Sequence, residues 1–196
     1  MKKIIIVIST VLLISCASSN KINQPTQASR VVSSIDDSAG NELVLIQKFS
    51  INASIEEVWN AYTTQQGWQA WAVPMAEVNW KVGGLIRTNY NTKGKIGDAT
   101  TIVNHIVNYV PNKLITLQAE LSPHFPKFMQ DDAKDFYNVI YFNAIDAQHT
   151  QVESYGIGYK NTEKYQELMK FFIPANEQSY QHLINYLEQG IKQEFK

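Results

Sequence analysis

The sequence predicts an α+β fold in which a curved antiparallel sheet of about six or seven strands wraps around one long C-terminal helix. Three observations predict it. Near the C-terminus, Tyr180, Leu183, Ile184, Leu187 and Ile191 recur at helical spacing and form one apolar stripe, with Gln178, Gln181, Asn185, Glu188 and Lys192 off it. Between residues 43 and 159 the apolar positions mostly alternate, as they do in strands packed on one face. The connections between these segments are too short for parallel crossovers, so each neighbour folds back on the last.

Taken in order, residues 43–51 read as a strand with Leu43, Leu45, Gln47, Phe49 and Ile51 on one side. Ser54 and Glu57 form a capping box, in which hydroxyl and carboxylate reciprocally satisfy the first free amides of a helix that buries Ile55, Val58, Trp59 and Tyr62. Gly67 closes that segment, and residues 68–71 make a second helical turn before Pro74. Residues 76–80 and 85–91 pair through a turn that the Gly83-Gly84 step permits. Residues 100–110 and 114–121 form a second hairpin around Pro111-Asn112-Lys113, and 136–145 with 150–159 a third. Residues 122–135 are irregular, and Phe125, Phe128 and Met129 there are candidates for a lid or an ordinary surface loop. Residues 163–172 read as a short helix leading into Pro174, where the lost amide suits a helix start, so the long helix is expected over 175–193.

The chain has 196 residues with a net charge of -1, 44% hydrophobic and 18% charged, which suits one domain and argues against a nucleic-acid partner. Ten tyrosines, eight phenylalanines and four tryptophans supply rings enough to fill a core or to line a cavity. Lys2 and Lys3 precede apolar runs over 4–8 and 11–14, a charged then apolar pattern that stops well short of the roughly 20 residues a spanning helix needs. Leu13-Ile14-Ser15-Cys16, the single cysteine, resembles the lipobox of bacterial lipoproteins. The resemblance implies a signal peptide over 1–15, lipidation at Cys16 and anchoring in the cell envelope, with Ala17 favouring the outer membrane, facing the periplasm, over the inner. Residues 17–39 are rich in Ser, Asn and Gln, and 16–40 are expected to be a tether, with 31–35 left open as a short strand; the domain proper spans 41–196.

The run from Phe49 to Tyr62, followed by Gly67-Trp68, Trp71, Gly83-Gly84, the Pro111-Asn112-Lys113-Leu114 turn, Thr150 and Gly158, resembles the SRPBCC or START-like superfamily. Within it the nearest group is the domain named after the activator of the heat-shock-protein-90 ATPase. The resemblance implies the helix-grip fold, with a hydrophobic cavity between sheet and last helix, and members that bind lipids or other apolar small molecules; a few are cyclases. It implies no shared catalytic residue, and the chaperone role does not transfer to an exported chain.

Four histidines, His105, His124, His149 and His182, lack metal-ligand spacing, so neither a metal site nor a cofactor is expected. Strict alternation groups His105 with Val103, Val107 and Tyr109 on the helix-facing side, either orienting a ligand or satisfied by a neighbour. Trp59, Trp68, Trp71, Tyr90, Val139 and Tyr141 are the further candidates for the cavity, to line it or to fill it. Asp131, Asp132 and Asp135 read as a solvated face. The expectation is a membrane-tethered extracytoplasmic protein that holds a hydrophobic small molecule or lipid without covalent chemistry. The alternatives are an envelope interaction module without ligand, or a cyclase or hydrolase using His105, Tyr141 or Tyr155 as acid and base.

Overall fold

A computed structural model describes residues 30–121 and 125–195. Cys16, the signal segment 1–15, most of the proposed tether and His124 lie outside the described residues.

Eight strands form one antiparallel sheet in the order β1-β2-β8-β7-β6-β5-β4-β3. They are β1 (Val32–Asp36), β2 (Glu42–Ile51), β3 (Met75–Val78), β4 (Leu85–Asn89), β5 (Ile102–Val110), β6 (Leu114–Glu120), β7 (Tyr137–Ala144) and β8 (Thr150–Lys160). Between β2 and β3 stand α1 (Ile55–Thr63) and α2 (Gln65–Trp71), α3 (Lys127–Asp132) precedes β7, and α4 (Glu163–Gln189) closes the chain. The inner face of β2 is the one its alternation predicts, with Leu43, Leu45, Gln47, Phe49 and Ile51 all buried. Phe49 and Ile51 pack with Ile86, Ile106, Ile115, Ile140, Phe142 and Val152 of the other strands under α1 and the second half of α4.

Three expectations change. Residues 32–36, inside the stretch read as tether, pair as an edge strand with β2, Ser33 opposite Gln47 and Ile35 opposite Leu45. The fold therefore starts some nine residues before position 41. The last helix does not start at Pro174: α4 is one helix of 27 residues, about 40 Å long at ~1.5 Å per residue, and Pro174 lies inside it. Pro174 and Lys170, whose carbonyl loses its helical partner, are both exposed, so water can take that acceptor. Packing on both sides then holds the helix, Tyr165 and Met169 before the proline and Tyr180, Leu183 and Ile184 after it. Gly190, in the left-handed region at φ 69°, ends it, donating to the Tyr186 carbonyl at 2.9 Å.

Finally, the candidate lid does not cover the cavity. Met129 is buried in a second core with Leu43, Phe136 and Tyr165, Phe125 and Phe128 pack against it, and α3 thereby closes the sheet beneath the first half of α4. Asp132 is not a solvated carboxylate there, since it accepts from the Tyr165 hydroxyl at 2.9 Å and from Lys160 at 2.5 Å. Gly158 lets this end close: its φ is +90°, and a Cβ would stand 1.8 Å from the Asp135 carbonyl oxygen.

Candidate functional site

The space between the sheet and the second half of α4 is filled at one end and open at the other. The filled end belongs to α1. The capping box forms as expected, Ser54 accepting from the Glu57 amide at 3.3 Å while the Glu57 carboxylate accepts from the Ser54 amide at 2.8 Å. It aims Trp59 into a ring cluster, edge-on to Trp80 at 5.7 Å and to Phe142 at 5.6 Å, with Tyr109 at 6.3 Å. Trp59 therefore packs core and does not line the open space.

The open end belongs to α2. Thr64 caps it by accepting from the Gly67 amide at 3.0 Å, and Gly67 sits so close to α1 that a Cβ would be 2.5 Å from the Ala61 carbonyl. This tight corner brings Trp68 and Trp71 side by side, stacked at 5.4 Å. Both indole N–H groups are committed to α1 carbonyls, Trp68 to Tyr62 at 2.7 Å and Trp71 to Ala61 at 3.0 Å. What they turn toward the interior is ring face. Beside them lies a cavity of about 260 Å³, with Tyr90, 56% exposed, at its rim.

The opposite wall sets polar groups beside the apolar Leu117 and Ile140. Asn104 of β5, Asn138 of β7, and Asn176, Ser179 and Tyr180 of α4 reach this cavity. The Tyr180 hydroxyl donates to Ser154 at 2.9 Å, and Ser154 donates to the Asn138 side-chain oxygen at 2.9 Å. Asn176 donates to Gln47 at 2.9 Å, Gln47 to Ser33 at 2.9 Å, and Ser33 to Glu177 at 2.7 Å, which ties β1 and β2 to α4. A smaller cavity of about 140 Å³ adjoins, sharing Asn138 and Asn176 as walls. Burial raises the pKa of the Tyr180 phenol, and burial together with the nearby Tyr180 raises that of Tyr62 well above the ordinary value, so both are neutral. The Tyr62 hydroxyl is buried without a hydrogen-bond partner among the described residues.

Of the candidates from sequence, then, Trp68, Trp71 and Tyr90 meet at this cavity, and Trp59, His105, Val139 and Tyr141 do not. His105 faces outward. A β-bulge shifts the register between Ile106 and Asn108, so Asn104 and Ile106 point inward before it and Tyr109 after it. The His105 Nε2 lies 2.5 Å from the Glu120 carboxylate, with both side chains largely exposed. Val139 and Tyr141 sit on the outer face too, because β7 turns Asn138, Ile140 and Phe142 toward the helix. With Tyr155, Asn143, Glu153 and Ile157 they line an open outer groove of about 470 Å³. There Glu153 accepts from Tyr155 at 2.5 Å and pairs with Lys48 at 2.9 Å; these bonds, Tyr155 first, hold its carboxyl below the ordinary value. All three residues considered as acid or base thus lie outside the interior cavity. Asn104, Asn138, Asn176 and Ser179 escaped the sequence reading; the signal for two of them was that Asn176 and Ser179 continue, one turn earlier, the face carrying Tyr180 and Leu183.

An antiparallel sheet gripping one long C-terminal helix, with a cavity between them, defines a helix-grip domain of the SRPBCC or START-like kind. The family model described as Activator of Hsp90 ATPase homolog 1-like protein matches residues 52–188, and the chain belongs to that family. No curated protein matches it by sequence. Among solved structures it is similar to the Aha1 dimer from Colwellia psychrerythraea, with a TM-score of 0.56 and 17% identity over 75% of this chain and 97% of that one. It is also similar to CalU16 from Micromonospora echinospora, with a TM-score of 0.57 and 16% identity over 83% of this chain and 85% of that one. A conserved protein of unknown function from Enterococcus faecalis has a TM-score of 0.56 and 12% identity over 85% of this chain and 82% of that one. At such identities the likeness shows the fold alone.

Proposed function

We propose that this protein is a membrane-tethered, extracytoplasmic binding protein that holds a hydrophobic small molecule or lipid between its sheet and α4. The fold and family suggest a ligand-binding or cyclase-like domain. The observation that carries the binding reading is the cavity of about 260 Å³ walled by Trp68 and Trp71 beneath α4. Ring faces whose polar edges are already bonded are surfaces for apolar matter. The tethering rests on Leu13-Ile14-Ser15-Cys16 and the apolar run before it. A cyclase reading has less behind it, because His105, Tyr141 and Tyr155 lie on the far side of the sheet from this cavity.

Native mass spectrometry of the protein purified from its own envelope tests the reading. A co-purifying small molecule, lost on denaturation, is the expected result; bare protein that displaces no apolar dye overturns it. In the same preparation, the mature N-terminus is expected to be Cys16 carrying the mass of acyl chains. A mature chain with an unmodified Cys16 would end the lipid-anchor proposal.

A further inference from the structure

The walls of the interior cavity differ enough to say what kind of molecule they admit. We infer that the cavity takes a compact, uncharged ring compound with a hydrogen-bonding group on one edge, and rejects fatty-acyl chains and carboxylates. This rests on the carrier reading and narrows its ligand class.

Charge comes first. Among the described residues no Asp, Glu, Lys, Arg or His lines the cavity, and its two buried phenols are held neutral. The adjoining network ends on another carboxyl, Glu177, which already accepts from Ser33 at 2.7 Å. A carboxylate ligand entering here would lose its water and find no cation, which is the costly way to bury a charge.

Shape and polarity come next. Stacked Trp68 and Trp71 present a flat apolar surface, since neither N–H is free to bond a ligand. Across from them the Asn104 side chain makes no hydrogen bond to another described residue, while Ser179 donates only to the Ala175 carbonyl at 3.1 Å. A molecule with one flat apolar face and one polar edge satisfies both walls at once. An alkyl chain satisfies the tryptophans and strips water from the amides without replacing it. Deeper in, the adjoining cavity of about 140 Å³ is lined by Leu45, Tyr159 and Phe172 but also by Gln47, Asn138, Ser154 and Asn176, so a chain entering it would strip water from four polar side chains. At about 260 Å³ the main cavity is smaller than the roughly 300–1,000 Å³ of pockets for drug-sized ligands, which favours one or two fused rings.

The test is calorimetric titration of the full chain with three probes: 2-naphthol, 2-naphthoate and palmitate. The first two share a ring and differ in charge; the third tests the chain. The expected result is that 2-naphthol binds at least tenfold more tightly than either anion. Asn104→Leu and Ser179→Leu are each expected to weaken it tenfold or more with unfolding curves unchanged, whereas His105→Ala, one residue along β5 but on the outer face, leaves it as it was. Tighter binding of palmitate or 2-naphthoate overturns the ligand class and leaves the carrier reading standing, as does a failure of 2-naphthol alongside a co-purifying native ligand. Failure of all three probes with no co-purifying molecule takes both down together.

Discussion

The two ends of the space beneath α4 are built from the same kinds of residue and behave oppositely. At the α1 end, Trp59 meets Trp80 and Phe142 edge to face at 5.7 and 5.6 Å, and Tyr109 packs at a tilt against Trp59 at 6.3 Å and Trp80 at 5.0 Å. At the α2 end, Trp68 and Trp71 stack on one another, their N–H groups tied back to α1, and the space in front of them stays open. Rings that meet edge to face interlock, whereas rings stacked in parallel make a wall. Tryptophan content alone therefore says nothing about whether a cavity exists; where each ring is held, and by what, does.

The largest effect that bears on this contrast is expected at the filled end. Phe142, buried and edge-on to both Trp59 and Tyr62, should cost about 3–5 kcal/mol of stability as Phe142→Ala, measured by urea unfolding. A loss below about 1.5 kcal/mol would mean that this end, too, has slack.

A smaller effect tests the clamp that holds the last turns of α4. Glu188 accepts from Arg30 at 2.7 Å and from the Asn52 amide at 2.9 Å. Partial burial pushes its carboxyl up, but Arg30 and the amide outweigh this and leave it below the ordinary 4.5. Because the folded pKa is the depressed one, the stabilisation is fully present above pH 4.5 and is lost as pH falls through the folded value. Glu188→Gln should thus be less stable at pH 6 by on the order of 1 kcal/mol, and the difference should shrink as the pH is lowered below 4.5. An offset that stays the same below pH 4.5 would show that the carboxylate's charge plays no part.

The smallest effect has the opposite sign. Tyr62 stands between the two ends, ring packed and hydroxyl buried without a partner. Removing an unsatisfied group from a dry site relieves a penalty, so Tyr62→Phe is expected to raise stability by about 0.5–1 kcal/mol in thermal melts. If it lowers stability instead, something in solution bonds that hydroxyl, and the open end extends further toward α1.

Much of this architecture could be read in advance, for reasons that are local. The capping box at Ser54 and Glu57 needs only four residues to form, and β2 alternates cleanly because one of its faces is core and the other is not. The order of hairpins follows from turn residues such as Pro111 and Gly83. What was misread involved competition between distant parts. Pro174 is a sound helix start in isolation, but burial of residues on both sides of it carries the helix through. The edge strand β1, which its weak pattern left open, exists because β2 supplies a ladder. In β7, Tyr137, Val139 and Tyr141 look as fit for burial as Ile140 and Phe142, so composition does not say which set faces inward. In β5 a single extra residue at the bulge reverses the alternation, which put His105 on the wrong side and hid Asn104.

By itself, the sequence determined the kinds and order of the elements, their antiparallel pairing and the presence of a long terminal helix, since turns, caps and periodicity act over a few residues. Only the tertiary structure decided which faces of β5 and β7 look at that helix and whether tryptophans interlock or line a wall. A pleat has period two, so its pattern leaves a choice between two faces, and only the packing of the whole sheet against α1, α2 and α4 makes that choice.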